Sequence, residues 1–206
     1  MKVVLVGEPA IEGFGPVRQM GHVVSDIEAC MATLSREQRL GPWLLMRNVH
    51  LPCSYRGEKS EPVIHVALTY HGDMQIELIQ QVNDASSPYF EVTRAGDFGL
   101  HHTAHLCRDI DRDTERALAQ GFELVCDIRM MGARYVYLQS AAADKVDYVE
   151  LLPDNLLMRS MFRQGMAACR RWKGNAGPII VDLNHAGTIL GSLPGAASAW
   201  VRQLAG

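Results

Sequence analysis

Four polar residues stand at matching places in a pattern that this chain writes twice. The first copy, Gln19-Met20-Gly21-His22-Val23-Val24-Ser25-Asp26-Ile27, aligns without a gap on His102-Thr103-Ala104-His105-Leu106-Cys107-Arg108-Asp109-Ile110. A second echo follows each copy, Gln75-Ile76-Glu77-Leu78-Ile79 after the first and Asp147-Tyr148-Val149-Glu150-Leu151-Leu152 after the second. Gln19 and His102 therefore hold one equivalent position, and Glu77 and Glu150 another. Internal repeats decide architecture, so they are read first.

Alternation along a strand points residues i and i+2 to one face. Gln19 then shares a face with Gly21 and Val23, and Glu77 with Gln75 and Ile79. If the first and last strands of each copy curl into a half-barrel, Gln19, Glu77, His102 and Glu150 converge as one nitrogen and three oxygen ligands. Such a set suits one divalent first-row metal per site, Zn, Ni, Co, Mn or Fe, with positions left for water or substrate, and does not choose among them. A single glutamate in an apolar strand can equally face water. Two at equivalent places of a repeat, each flanked by branched apolar residues, read instead as buried, and a buried carboxylate pair asks for a cation.

Other side chains could also carry chemistry. His65, within Val63-Ile64-His65-Val66-Ala67, is a candidate proton carrier, since an imidazole is matched to transfer near neutral pH; its plain alternative is a sheet-face histidine. Arg56 and Arg134 are candidate anchors for a substrate carboxylate or phosphate, against the default of solvated surface arginine. Trp43, Tyr89 and Phe90 are candidates for an apolar pocket mouth, although ordinary packing explains them equally well. Alternation sends His101 to the face opposite His102, and His22 and His105 also sit at odd parity, so all three read as structural or supporting.

The elements that must position these residues follow from punctuation and pattern. Residues 1–16 form an extension broken by Gly13, Gly15 and Pro16. Residues 17–82 read as a first β-α-β-β-β module, with strands at Val17 to Val24, Trp43 to Val49, Val63 to Tyr70 and Met74 to Val82, Asp26 as helix N-cap, and Gly41-Pro42 ending the helix. Residues 83–98 link it to a second module over 99–153, with strands near Leu100 to Cys107, Phe122 to Ile128, Arg134 to Gln139 and Val146 to Leu152. The expected fold is α+β, two modules paired into one curved, half-barrel mixed sheet, because a lone module would expose a whole sheet face. Residues 154–206 form a C-terminal extension. In it Leu157, Met158, Met161, Phe162, Met166, Cys169 and Trp172 recur at helical spacing, predicting an amphipathic helix over Leu156 to Trp172, and Pro178 to Leu183 reads as a further strand.

Composition narrows the function classes. The chain is 206 residues long and 48% hydrophobic, enough for a substantial core, so disorder is not expected. Its net charge is −3 with no dense basic run beyond Arg170-Arg171, which argues against a nucleic-acid face. Five scattered cysteines with no CxxC pair suggest reduced thiols in a cytoplasmic protein. No stretch approaches the roughly 18 apolar residues of a membrane span, and the apolar run after Lys2 is too short for a signal-peptide core.

The paired modules, with candidate ligands on first and last strands, resemble the vicinal oxygen chelate superfamily, which includes glyoxalase I, methylmalonyl-CoA epimerase, extradiol dioxygenases and bleomycin-resistance proteins. Gly99-Leu100-His101-His102 and Tyr148-Val149-Glu150-Leu151 are similar to the epimerase and its relatives, and the likeness spans roughly Val17 to Pro153. The resemblance implies a metal centre at Gln19, Glu77, His102 and Glu150. The epimerase branch usually has His where Gln19 stands and Gln where Glu77 stands, whereas the order Gln, Glu, His, Glu is similar to zinc-type glyoxalase I. Extradiol cleavage needs two histidines and one carboxylate, a triad that Gln19 breaks. Bleomycin-resistance relatives lack the metal.

The resemblance implies a metal-dependent isomerase, epimerase or lyase that stabilises an enolate of a small, rather apolar substrate while a base moves the neighbouring proton. Glu150 or Glu77 would be that base, and His65 lies near where epimerase relatives carry a carboxylate base. The alternatives are a glutathione-dependent glyoxalase I and a metal-free small-molecule binding protein. A homodimer is expected by analogy.

Overall fold

The computed structural model describes residues 13–130, 132–140, 148–174 and 177–182. The first twelve residues of the N-terminal extension, the tail beyond residue 182 and the expected strand start at Val146 lie outside them. The first half runs β1 (Val17–Val23), α1 (Ile27–Gln38), β2 (Leu44–His50), β3 (Cys53–Tyr55), β4 (Glu58–Ser60), β5 (Val63–His71) and β6 (Met74–Gln81). Helix α2 (Pro88–Ala95) bridges to β7 (Gly99–Cys107), α3 (Ile110–Ala119), β8 (Phe122–Met130), β9 (Ala133–Ser140) and β10 (Tyr148–Pro153), followed by α4 (Leu156–Arg171) and β11 (Ile179–Asp182). The repeated Asp-Ile pairs start helices as their chemistry requires. Asp26 accepts from the Ala29 amide at 2.9 Å and Asp109 from the Arg112 amide at 3.1 Å, caps worth about 1 kcal/mol each.

The eleven strands among the described residues form one mixed sheet in the order β11-β2-β5-β6-β1-β7-β10-β9-β8-β3-β4. The two halves meet at an antiparallel β1/β7 pair, and each of those strands is flanked by a parallel partner, β6 beside β1 and β10 beside β7. Only Leu51 and Pro52 separate β2, near one end of this order, from β3, near the other. The sheet therefore curls round so that its ends approach, giving the α+β half-barrel. The β3–β4 hairpin is an addition to the β-α-β-β-β pattern. Its two-residue turn, Arg56-Gly57, has positive φ at both positions, 47° and 86°. That geometry favours Asn-Gly over Arg-Gly, so the sequence signal was faint.

Period-2 alternation sorts the apolar residues into layers. On the outside, Val24, Ala67, Ile76 and Leu78 pack under α1 through Ile27, Met31 and Leu34. Val136, Leu138, Val149 and Leu151 pack outside with Ile110 and Ala117 of α3. The concave face gathers Val23, Val66, Leu68, Ile79, Ile128, Tyr137 and Tyr148 into one cluster. Helix α4 lies over that face, setting Met158 and Phe162 against Leu44, Tyr70, Ala104 and Leu152. Burying those two side chains contributes roughly 1.5–3 kcal/mol each, which holds the helix down.

Candidate metal centre

The register of the four central strands decides what converges. Gln19 pairs with Gln75 and Gly21 with Glu77 across β1/β6, Gly21 pairs with His102 across β1/β7, and Tyr148 pairs with His102 across β7/β10. All these residues share the concave face with Glu150, two positions beyond Tyr148. His102 Nε2 lies 3.3 Å from Glu77 Oε2, 3.1 Å from Glu150 Oε2 and 3.3 Å from Gln19 Oε1. One ligand atom from each of Glu77, His102 and Glu150 falls within 4.8 Å of the other two, a spacing able to hold a metal ion. The side chains are nearly closed off from solvent: His102 is 0% exposed, Glu150 7% and Glu77 13%.

The electrostatics describe a cation position. Burial pulls the His102 imidazole down, but hydrogen bonds to Glu150 and Glu77 outweigh it and carry its pKa up to about 9. Burial pushes the Glu150 carboxyl up, while its hydrogen bond with His102 pulls the other way. A positive charge at Nε2, whether a proton or a metal in its place, is what two buried carboxylates require.

The surroundings hold this arrangement in place. His101 Nδ1 lies 3.0 Å from His102 Nδ1, and burial, then the charge of His102, keeps the His101 pKa well below its ordinary value. A neutral His101 accepts there from the His102 N–H, fixing its ring as the outer partner of a metal-binding histidine does. Gln19 Nε2 donates to Gln75 Oε1 at 2.8 Å, and Gln75 Nε2 donates to the Tyr70 hydroxyl, so the Gln19 carbonyl is turned toward His102. Tyr89 donates to the Tyr137 hydroxyl at 2.9 Å, and Tyr137 in turn hydrogen-bonds Glu150. The donor set, its burial and its orienting partners fit a divalent metal held by His102, Glu77 and Glu150 with Gln19 beside them.

The site opens into a cavity of about 160 Å³. Gln19, Glu77, Glu150 and Tyr89 line it together with Val66, Leu68, Ile79, Tyr135, Tyr137 and four methionines, Met46, Met130, Met158 and Met161. Tyr135 and Tyr137 escaped the sequence reading, although their alternation opposite Glu150 on β9 was the signal that could have found them.

Five sequence candidates do not line the cavity, Phe90 among them. His65 alternates out of phase with Ile64, Val66 and Leu68, so it faces outward, where its Nδ1 accepts from the Asn48 amide at 3.1 Å. Trp43 is buried in the outer layer under α1 and donates to Ser35 Oγ at 2.9 Å. Arg134 is held outside by Asp127, with Nη2 at 2.9 Å, and by Asp111. Arg56 sits in the β3–β4 turn, 3.3 Å from Glu91, whose carboxylate also accepts from Tyr148 at 2.9 Å; it does not line the cavity. His101 departs from the expectation of an opposite face. The pairing slips between Gly21/His102 and His22/Leu100, leaving His101 in a bulge, and a bulge re-aims its side chain. Its ring consequently packs on Tyr148, centroids 4.9 Å apart, and on Tyr89 at 5.2 Å.

Comparison with known proteins bears on both the fold and the ancestry. The family profile described as Glyoxalase/Bleomycin resistance protein/Dioxygenase superfamily matches residues 18–137. No curated protein matches the chain significantly. Among solved structures, a hypothetical protein from Bacillus halodurans is similar with a TM-score of 0.52 at 14% identity, covering 68% of this chain and 94% of that one. Methylmalonyl-CoA epimerase from Mycobacterium tuberculosis has a TM-score of 0.48 at 16% identity, with 71% and 93% covered. A Streptomyces coelicolor methylmalonyl-CoA epimerase variant in complex with 2-nitronate-propionyl-CoA has 0.47 at 14%, with 70% and 97% covered. At 14% identity, the likeness to the Bacillus halodurans protein concerns the fold alone.

Proposed function

This chain belongs to the glyoxalase/bleomycin resistance protein/dioxygenase superfamily, and on that premise we propose that it is a divalent-metal-dependent isomerase, epimerase or lyase that moves a proton next to a carbonyl of a small, rather apolar substrate. The observation that carries this reading is the convergence of Glu77 and Glu150, in the wall of an apolar cavity, on the buried imidazole of His102. Glu77, His102, Glu150 and Gln19 would hold the metal. When bound, it supplies Lewis-acid polarisation of a substrate oxygen and stabilises the charge that develops there.

The chain's own groups do the rest. Glu150 is the better base of the two carboxylates. It is the more deeply buried, and burial pushes its carboxyl upward, which makes it the stronger base. Its oxygen accepts the proton from the carbon beside the carbonyl and returns it to the same or the adjacent carbon. Tyr137 holds that oxygen in place, and His101 and Gln75 hold His102 and Gln19. The apolar lining keeps bulk water from quenching the carbanion.

Glutathione-dependent glyoxalase I chemistry finds less support, because no Lys or Arg is among the described residues of the cavity wall to meet the carboxylates of glutathione. A metal-free binding protein would have no use for two carboxylates in that wall closed onto a buried imidazole. Five unpaired cysteines suit a cytoplasmic setting. No described helix is long and apolar enough to cross a membrane.

Elemental mass spectrometry on purified wild type, His102→Ala and Glu150→Ala tests the proposal. About one metal per chain, lost in both variants, supports it. No stoichiometric metal after reconstitution with Zn, Ni, Co, Mn or anaerobic Fe(II) refutes it.

A further inference from the structure

Resting on the reading of this cavity as the substrate site, we propose that the first turns of α4 make it selective for a neutral, compact carbonyl compound about the size of one aromatic ring, and that acyl-CoA and glutathione conjugates are excluded. Three observations converge on this. The first is shape. Asn155, Leu157, Met158 and Met161 supply one wall of the cavity, although they belong to the extension that follows the repeated halves. Leu157 is 39% exposed while Met158 is buried, so the mouth lies at the start of α4 and the helix closes inward from there. Methionine thioethers are adaptable packing groups, suited to holding a flat apolar body without a fixed polar pattern.

The second observation is size. A dry apolar cavity of about 150 Å³ accommodates a single benzene. At about 160 Å³, this one takes a ring with a short polar substituent and cannot enclose a pantetheine arm or a tripeptide.

The third is charge. Two ionised carboxylates and one divalent cation sum to zero, so a neutral ligand leaves the site neutral. Proton transfer from its carbon to Glu150 keeps that sum unchanged throughout the step. An anionic ligand would add a buried negative charge, and no Lys or Arg is among the described residues lining the cavity to meet it. The polar groups that do face the cavity are Gln19, Gln75, Glu77, Glu150, Asn155 and tyrosine hydroxyls, which suit carbonyl and hydroxyl oxygens.

The test is isothermal calorimetry with a matched pair of probes, neutral 2-hydroxyacetophenone and anionic mandelate, together with propionyl-CoA. It uses the full chain reconstituted with Zn and the same chain stripped of metal, with metal content measured on every sample. The expected result is binding of 2-hydroxyacetophenone at least about tenfold tighter than mandelate, and no binding of propionyl-CoA. Met161→Trp, which fills the cavity, should weaken the neutral probe by about tenfold or more at unchanged metal content. Met161→Ala, which needs no extra space and guards against a misfolded bulky variant, should admit a para-alkylated homologue that wild type rejects. Mandelate or propionyl-CoA binding as tightly as the neutral probe would overturn the proposal, as would indifference of the neutral probe to both Met161 variants. Neutral-probe binding that depends on Met161 in protein that takes up no metal would uphold the selective wall while refuting the metalloenzyme reading. Stoichiometric metal without neutral-probe binding would do the reverse.

Discussion

Gly21 lies directly across the β1/β7 ladder from His102, and a methyl group added at Gly21 would fall 1.9 Å from His102 Cε1. The imidazole thus occupies the space that any other residue's Cβ would claim. His102 is buried between its partners and cannot yield to a side chain there without leaving them. Gly21→Ala should therefore cost about 1–3 kcal/mol of stability, as overpacking does, and should reduce metal stoichiometry because His102 leaves the carboxylates. Denaturant titration and metal analysis on the one variant check both effects. Full metal content at wild-type stability would contradict the packing argument.

The Tyr89, Tyr137 and Glu150 chain makes a prediction about coupling. Tyr89→Phe removes one donor and should cost about 1 kcal/mol. Tyr137→Phe should cost more, about 1–3 kcal/mol, because it strands the Tyr89 hydroxyl and takes a partner from Glu150. The double variant should lose less than the sum, and a double-mutant cycle by chemical denaturation measures the difference. Strict additivity would mean that the chain does not act as a unit.

Alkaline titration offers a third check. All six tyrosines have hydroxyls raised above their ordinary value, in each case first through burial; Tyr55 and Tyr135 reach about 12, and Tyr70, Tyr89, Tyr137 and Tyr148 are likewise pushed upward. The folded chain then keeps protons that the unfolded chain gives up near pH ~10. This contribution to stability is complete below pH ~10 and is lost as pH rises toward the folded-state values. Tyrosinate absorbance should stay low until the far-ultraviolet circular dichroism collapses, the two transitions coinciding. Tyrosinate appearing near pH 10 in folded protein would contradict the burial of these hydroxyls.

Two candidates from the sequence should prove dispensable to the site. His65→Ala and Arg134→Ala alter the outer surface of the sheet, away from the cluster. Both variants should retain wild-type metal content. Arg134→Ala should lose no more than about 1 kcal/mol, since its partly exposed ion pairs with Asp127 and Asp111 are screened by solvent. Loss of metal in either variant would place a ligand or its support on the outer face of the sheet, against this arrangement.

The candidate centre was legible because duplication and alternation are both periodic signals. Gln19, Glu77, His102 and Glu150 follow from equivalence between copies plus strand parity, and that reasoning places all four around one point. The same parity places His65 and Arg134 outward, since Ile64 and Val66, like Tyr135, point in. What parity could not give is His101, because a bulge breaks the count that parity relies on. Trp43 stands just before β2, and nothing local tells its ring to enter the α1 layer rather than the cavity. The contribution of α4 to the cavity wall is a matter of docking, and a helix's own periodicity reveals an apolar face without naming what it covers.

The joint at Leu51 and Pro52 also bears on how the molecule comes apart. Because β3 runs on from the first half and lies along β8 of the second, neither half can leave without unzipping a strand of the other. A chain stapled to its own duplicate in this way has no independently stable portion, so its slowest-exchanging amides in both halves should share one opening free energy, and loss of the hairpin from β8 should release them together.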